Sequence, residues 1–217
     1  MSRTFFIGDV HGCIEEFSEL LEKFSPSSGD NVYQTGDLIN KGPNSPATVE
    51  FVLKHNIKCV LGNHEAKLLQ ILNKPKSEQT PKELSFLENL QKPEWIAGIV
   101  SKFPLWIDTG NEILLHAGLE PGKKNLEEMS SRNILTIRLW NEKPWYEQAI
   151  FTGKTIIFGH WAMNGLIDFP QAKGLDTGCV YGKLLTGYCP EENRFYQVCA
   201  KKKYSSIKYS RGINELL

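Results

Sequence analysis

Residues 5–13, FFIGDVHGC, join a short apolar run to an aspartate and a histidine that stand two positions apart between glycines. The apolar run predicts a buried β-strand, and the apolar residues of the next stretch, 13–24, recur at helical spacing. The strand therefore ends on an acid and an imidazole before the helix begins. These two polar residues form either a locally hydrogen-bonded turn or a set of ligands, and the rest of the chain decides between the two.

The same arrangement occurs twice more along the chain. Residues 31–37, NVYQTGD, predict a second strand that ends in Gly-Asp, and residues 57–65, IKCVLGNHE, predict a third that runs into a polar tetrad. Helical stretches follow both, ATVEFVLKH and AKLLQILN. Three successive strand–turn–helix units predict a largely parallel sheet with its polar turns on one edge. Ligands bind at that edge in such sheets, so the three turns are expected to converge.

The remaining sequence predicts a single α/β domain over residues 1–217. Residues 74–104 are rich in Lys, Glu and Pro with apolar residues between them, and they predict a helical cap over one side. LWIDTG and EILLHAG predict two strands or a hairpin, and residues 120–150 are mixed and partly helical. The last third contains short strand patterns separated by turn residues. The basic stretch KKKYSSIKYSRG, 201–212, is interpreted as a solvated tail.

Composition narrows the class of protein further. The 25 basic and 25 acidic residues give no net charge, so no overall field attracts the chain to nucleic acid or to a membrane surface. No segment approaches the roughly 20 apolar residues of a membrane helix, and the apolar N-terminal stretch is too short for a signal peptide. The five cysteines form no CxxC pair, which favours reduced thiols and a cytoplasmic location.

Seven polar residues at strand ends form the candidate site, and four of the five histidines in the chain are among them. They are Asp9, His11, Asp37, Asn63, His64, His116 and His160. Singly, each has an ordinary explanation, such as an Asp-x-His turn, a helix cap at Asn63 or a hydrogen-bonded core histidine at His116. Together, carboxylates and imidazoles that converge at one edge repel each other or stay unsatisfied without a cation.

The mixed Asp, His and Asn donor set suits divalent Mn, Fe or Zn. Two such ions about 3.5–4 Å apart, sharing a carboxylate, are the arrangement that transfers a phosphoryl group in line to water. The polar strand ends therefore favour a catalytic metal site over a chance collection of turns.

Five ordered motifs, GDVHG, GDLINKGP, GNHE, HAG and GH, resemble the calcineurin-like metallophosphoesterase superfamily from residue 5 to about residue 187. GHWA at 159–162 lacks the second histidine of many phosphodiesterase branches, which is typical of the phosphoprotein-phosphatase branch. FGHWA, LDTGCVYGKLLTGY and the proline of KGP resemble symmetrical bis(5′-nucleosyl)-tetraphosphatases. The compact stretch between HAG and GHWA is closer to small bacteriophage-type protein phosphatases. The resemblance implies a layered sandwich of mixed sheets flanked by helices, with its site at the carboxyl ends of strands.

The resemblance also implies a role for each polar residue. Two divalent ions are expected, with Mn²⁺ first and Fe or Zn as alternatives. Six residues are expected to hold them: Asp9 and His11 at one ion, Asp37 at both, and Asn63, His116 and His160 at the other. His64 is expected to protonate the leaving oxygen instead of binding metal, with Asn40 orienting its ring.

Two residues depart from the Gly-Asp-x-x-Asp-Arg-Gly pattern of many relatives. Asn40 replaces the second acid, so it can orient His64 without adding negative charge. Lys41 replaces the arginine, so phosphate meets a point charge instead of a bidentate fork.

Further substrate and support residues are suggested by position alone. Arg138, Asn141 and Lys143 stand where relatives supply a second phosphate contact, although a solvated loop explains the last two as well. Asp176 is either an acceptor for a metal-bound histidine or the start of an Asx-turn.

The function expected from these residues is metal-dependent hydrolysis of phosphate esters or anhydrides. Two substrates stay open, a dinucleoside polyphosphate and a phosphoserine or phosphothreonine protein. The branch motifs favour the first and the short central region favours the second. A non-catalytic metal-binding scaffold is the third alternative, and it predicts a missing ligand or general acid, neither of which is missing. No specific nucleic acid or membrane partner is expected.

Overall fold

Two five-stranded mixed β-sheets form the centre of the protein in this computed structural model, which describes residues 2–148 and 153–206. In order across the first sheet, the strands are β12 (Arg194–Cys199), β11 (Leu184–Cys189), β1 (Thr4–Ile7), β2 (Asn31–Gln34) and β3 (Lys58–Cys59). Strands β1, β2 and β3 run parallel, whereas β11 is antiparallel to both β1 and β12. The predicted parallel arrangement of the three N-terminal strands is therefore confirmed.

The second sheet is formed by the later part of the chain. In order, its strands are β4 (Trp106–Asp108), β5 (Glu112–Leu115), β8 (Thr155–Phe158), β10 (Ala172–Gly174) and β9 (Ile167–Phe169). Strands β5, β8 and β10 are parallel, and the two edge strands are antiparallel to their neighbours. A small hairpin of β6 (Leu139–Trp140) and β7 (Lys143–Pro144) lies between β5 and β8 in the sequence.

Helices cover the outer faces. They are α1 (Ile14–Phe24), α2 (Ser45–Lys54), α3 (Asn63–Leu72), α4 (Pro81–Asn89), α5 (Pro93–Val100) and α6 (Ser131–Thr136). Local sequence explains two of the starts. Asn44 accepts a hydrogen bond from the Ala47 amide at the start of α2, and Thr80 and Glu83 form a capping box at the start of α4.

The alternation of side chains along the strands divides the core into layers. Phe5 and Ile7 of β1 pack with the helices on one side of the first sheet, whereas Phe6 points to the second sheet. In the second sheet, Leu114 faces the first sheet and its neighbour Leu115 packs on the far side, near Trp145. Successive strand residues point to opposite faces, so this alternation is the signature of stacked sheets. The expected layered sandwich of mixed sheets flanked by helices is confirmed.

Two local expectations differ from the structure. Helix α3 begins at Asn63 and β3 is only two residues long, so Asn63 and His64 lie in a first helical turn. The sequence predicted a polar turn there and a helix from Ala66. The basic stretch 201–212 is not wholly solvated, because Tyr204 packs against the core and bonds to Glu16. Its part beyond residue 206 lies outside the described residues, as do residues 149–152.

The segment 74–104 forms α4 and α5, which supply Phe86, Leu90, Ile96 and Val100 to the core cluster of the first sheet. Its assignment as a cap within a single domain stays a prediction. In the described ranges no helix has the length and apolar character needed to span a bilayer.

Candidate metal centre

The polar strand ends of both sheets meet at one edge of the sandwich. Asp9 and His11 follow β1 and Asp37 follows β2, while His116 follows β5 and His160 follows β8 of the other sheet. All five side chains are buried. Asn63 and His64 join them from the first turn of α3. The convergence that the sequence predicted for three turns therefore extends to both sheets.

The backbone is bent sharply where it carries these side chains. His11, Asp37 and His160 have φ values of 49°, 55° and 67°, in the left-handed region that costs non-glycine residues about 1–2 kcal/mol each. Such conformations concentrate where the surrounding structure holds a functional geometry. Glycines allow the close approach: a Cβ at Gly159 would lie 1.9 Å from an Asp9 carboxylate oxygen, and one at Gly62 would lie 2.1 Å from the Asp37 nitrogen.

Asp37 lies at the centre of the cluster. Its Oδ2 is 3.6 Å from His11 Nε2 and 3.8 Å from His64 Nε2, and its Oδ1 is 3.5 Å from His116 Nε2. Two groups of ligand atoms share it, one with His11 and His64 and the other with His116 and His160, and the atoms of each group lie within 4.8 Å of one another. One carboxylate thus faces two neighbouring sets of donors.

A hydrogen bond to the backbone indicates which ring nitrogen of His116 is free to bind a metal ion. His116 Nδ1 is 2.9 Å from the Thr35 carbonyl, so it carries the proton and leaves a lone pair on Nε2. That lone pair faces the assigned Asn63 Oδ1 at 2.9 Å, and His160 Nδ1 faces the same oxygen at 3.0 Å. His160 Nε2 is buried without a hydrogen-bond partner. The His116 lone pair and the Asn63 oxygen are both acceptors, so they repel each other until a cation lies between them.

The pKa shifts of two histidines in the centre arise chiefly from burial. Burial, followed by the charge of Lys41, lowers the pKa of His11 to about 3, and burial, followed by His116, lowers the pKa of His160 well below its usual value. Both rings are therefore neutral, which is the form that binds metal. The donors present fit divalent cations.

Asp9 has a different position from the other expected ligands. Its carboxylate accepts hydrogen bonds from the Thr35 hydroxyl at 3.0 Å and from the His160 backbone N–H at 3.0 Å. Burial, and then the charges of Asp176 and Asp37, raise the pKa of this carboxyl group. Asp9 belongs to neither of the two ligand groups around Asp37, although it contacts the loop that carries His160.

His64 is held at one ring nitrogen and by its backbone. Its Nδ1 lies 2.7 Å from the Asn40 amide nitrogen, and its backbone N–H donates to Asp37 Oδ1 at 2.9 Å. The ring is 14% exposed, more than those of His11 and His116, so it is the most accessible of these three imidazoles. The expected partnership of Asn40 with His64 is present in the structure.

Positive charges line the same centre. Lys41 Nζ is 3.1 Å from His11 Nε2 and 5.5 Å from the centroid of the Tyr181 ring. Arg138 donates from Nη2 to the His160 carbonyl at 3.2 Å, and its Nε is buried without a partner. Asn141 and Lys143 are exposed on the β6–β7 hairpin. The structure thus brings two of the four expected phosphate contacts directly to the centre.

Three contributors were missed in the sequence, and the role of a fourth was left open. Glu65 accepts hydrogen bonds from the backbone N–H groups of Asp37, Ile39 and Gly62, at 2.9, 3.1 and 3.0 Å. Its place as the third residue of α3, where capping-box acids occur, was the available signal. Nothing local pointed to Thr35 or Tyr181. Asp176 accepts from the Gly178 amide at 3.1 Å, which is the Asx-turn alternative.

Stacked mixed sheets with this donor set define a metal-dependent hydrolase of phosphate esters or anhydrides. The chain belongs to the calcineurin-like phosphoesterase family, whose model matches residues 2–190. The resemblance noted in the sequence is confirmed.

Individual relatives indicate which members of this family the chain is similar to. The chain is 28% identical to a symmetrical bis(5′-nucleosyl)-tetraphosphatase of Haemophilus ducreyi, over 84% of this chain and 93% of the relative. It is also 28% identical to the protein of that name from Aromatoleum aromaticum, over 93% and 98%. A solved structure described as "a putative diadenosine tetraphosphatase" is 30% identical, with a TM-score of 0.80, over 92% of this chain and 94% of that one. The two sequence alignments extend over 256 and 270 positions, so these relatives carry segments that this 217-residue chain lacks.

Proposed function

We propose that this chain hydrolyses dinucleoside polyphosphates in the manner of a bis(5′-nucleosyl)-tetraphosphatase. It would use two divalent metal ions, with Mn²⁺ as the preferred ion and Fe or Zn as alternatives. The observation that carries the proposal is Asp37, whose two oxygens face two separate groups of ligand atoms. When bound, such an ion pair supplies positive charge to the phosphate and acidifies a water molecule. The names of the relatives support the choice of substrate.

The metal ligands are assigned from this geometry. Asp37 would hold both ions. The first would also be held by Asp9 and His11, which both follow β1. The second would be held by Asn63, His116 and His160. One ring nitrogen of each histidine lies within 3.0 Å of the Asn63 side-chain oxygen.

The remaining residues act on the substrate. His64 holds a proton on Nε2 for the leaving phosphate oxygen, while Asn40 keeps the ring in place through Nδ1. Lys41 and Arg138 offset the negative charge of the phosphate chain, and Asn141 and Lys143 reach it from the hairpin. A location in the cytoplasm fits the five free thiols, of which four are buried.

The test is a side-by-side assay of diadenosine tetraphosphate and a phosphoserine peptide with Mn²⁺. Cleavage at the central anhydride should release two molecules of ADP, at a much higher kcat/KM than that of the peptide. The His64→Asn variant should lower kcat about 10²- to 10⁴-fold while retaining its metal, measured by elemental analysis. Loss of metal from that variant would contradict the assigned role of His64.

A second candidate is a Ser/Thr protein phosphatase, favoured by the segments that this chain lacks relative to the tetraphosphatases. A shorter chain leaves a more open site, which suits a phosphoprotein. Preference for the phosphopeptide would establish this candidate. Full metal occupancy without turnover of either substrate would instead indicate a metal-binding scaffold.

A further inference from the structure

Four aromatic and apolar side chains are grouped near the segment that follows His160; two are exposed, and two are half-buried against the core of the second sheet. We call Tyr146, Trp161, Met163 and Phe169 the aromatic rim. Tyr146 connects it, because its ring centroid lies 6.4 Å from that of Trp161 and 5.5 Å from that of Phe169. Met163 is 52% exposed and Phe169 is 37% exposed. A grouped apolar surface of this kind marks a binding site more often than scattered single residues do.

The rim is joined directly to the metal centre through the chain. Trp161 follows His160, and consecutive Cα atoms are about 3.8 Å apart, so the indole starts one residue from a candidate ligand. The backbone N–H of Trp161 donates to the Gly159 carbonyl at 2.9 Å, which closes a tight turn at this point. The rim therefore begins where the substrate phosphate would be bound.

Two cations flank this loop. Arg138 donates to the His160 carbonyl at 3.2 Å, immediately before Trp161. Lys183, which is exposed, donates to the Ala162 carbonyl at 3.5 Å, immediately after it. An aromatic surface with a cation on each side matches a nucleotide, in which a planar base is joined to a negatively charged phosphate chain.

We propose that the aromatic rim binds a purine base of the substrate by stacking, with Trp161 as the main contact, while Lys183 and Arg138 bind phosphates beyond the cleaved one. This inference rests on the proposed dinucleoside polyphosphate substrate and identifies the part of the chain that would recognise its base. A phosphopeptide has no required aromatic group at that distance from the phosphate. The rim thus favours the nucleotide among the two substrate classes.

The test compares the binding of ADP with that of inorganic tripolyphosphate, which carries phosphates but no base. Both are titrated calorimetrically with Mn²⁺ into the His64→Asn protein, with and without Trp161→Ala. Stacking on one aromatic side chain implies that Trp161→Ala weakens ADP about 5- to 100-fold. Tripolyphosphate should change less than about twofold, because it does not contact the indole.

Three further variants complete the design. Trp161→Phe keeps an aromatic face and should bind ADP within a few-fold of the parent, which separates stacking from misfolding. Phe169→Ala, at an exposed position, should weaken ADP and leave tripolyphosphate unchanged. Trp95→Ala removes a 39% exposed tryptophan on α5, outside the rim, and should affect neither ligand.

The outcomes separate this inference from the proposed function. Equal weakening of both ligands by Trp161→Ala, or no weakening of either, would overturn the base site even if diadenosine tetraphosphate is hydrolysed. Hydrolysis of the phosphopeptide alone would instead overturn the proposed function. Loss of phosphopeptide affinity in Trp161→Ala would make the rim a peptide site and would also overturn the inference.

Discussion

Asn40 and Lys41 occupy consecutive left-handed positions, with φ values of 70° and 65°, at the turn after β2. This unusual backbone directs one side chain to His64 and the next to His11. Relative to the common family pattern, Asn40 removes a negative charge, whereas Lys41 keeps the positive charge of the arginine. A neutral amide positions the proton donor, and a flexible ammonium group replaces a rigid guanidinium.

At the residue scale, we predict that Asn40→Ala lowers kcat about tenfold while KM and metal content stay near wild type. The reason is that Ala leaves His64 Nδ1 without its partner at 2.7 Å, so the ring is no longer held in one orientation. Steady-state kinetics and elemental analysis provide the measurement.

Asn40→Asp is the matched control for that variant. It places a carboxylate oxygen where the Asn40 amide nitrogen faces Nδ1, and this oxygen accepts a hydrogen bond from the protonated ring, so it should restore most of the lost kcat. If Asn40→Ala and Asn40→Asp are equally impaired, or if both lose metal, the positioning role assigned to Asn40 is wrong.

At the scale of secondary structure, a buried carboxylate joins α3 to the β2–α2 loop, in addition to the two contacts that His64 makes with that loop. Glu65 accepts from Gly62 within its own helix start and from Asp37 and Ile39 across the loop. Glu65 accepts a hydrogen bond from the backbone N–H of Asp37. It therefore helps to fix the position of the Asp37 carboxylate. The first turn of the helix and the metal centre are therefore one structural unit.

We predict that Glu65→Gln destabilises the protein by about 1–3 kcal/mol, because the amide group has one acceptor oxygen and leaves a buried N–H unpaired. In a domain of this size that corresponds to a decrease in Tm of roughly 2–10 °C, measured by calorimetry. Metal affinity should also fall.

Glu83→Gln tests the same helix position in α4, where the accepting carboxylate lies in a more exposed capping box. Water can satisfy the freed groups there, so the decrease in Tm should be smaller. A larger effect at Glu83 than at Glu65 would show that burial is not the cause.

At the scale of the whole molecule, the candidate ligands come from both sheets. Asp37 and His11 extend from the first sheet, and His116 and His160 extend from the second. Ions bound between them would join the two halves of the sandwich in the folded state only. Binding to the native state alone stabilises a protein by mass action.

We therefore predict that chelation lowers Tm, because saturation at 100 times Kd is worth about 2.7 kcal/mol. Calorimetry with Mn²⁺, after chelation and after Mn²⁺ is added back provides the measurement. His160→Ala removes a ligand and should reduce the difference between the loaded and chelated Tm. An unchanged Tm despite complete removal of metal would contradict the proposed link between the sheets.

Much of the molecule could be predicted from its sequence because the signals are local. Strand and helix periodicity identified β1, α1, β2 and α2, and the polar residues after each strand predicted a site at their carboxyl ends. Helix α3 was predicted to start at Ala66 and instead starts at Asn63. The sequence GNHE is compatible both with a turn and with a first helical turn. Its backbone conformation depends on Glu65 reaching a loop 28 residues away.

The amino-acid sequence by itself determined the parallel strand–turn–helix units, the donor types at their ends and the family to which the chain belongs. Tertiary structure alone decided that Asn63 meets His160, 97 residues further along, that Asp37 faces two groups of donors, and that Tyr146 joins Trp161 to Phe169. The physical reason is that periodicity and turn chemistry act between neighbours in the chain. Contacts across two stacked sheets depend on their packing, which local sequence does not specify.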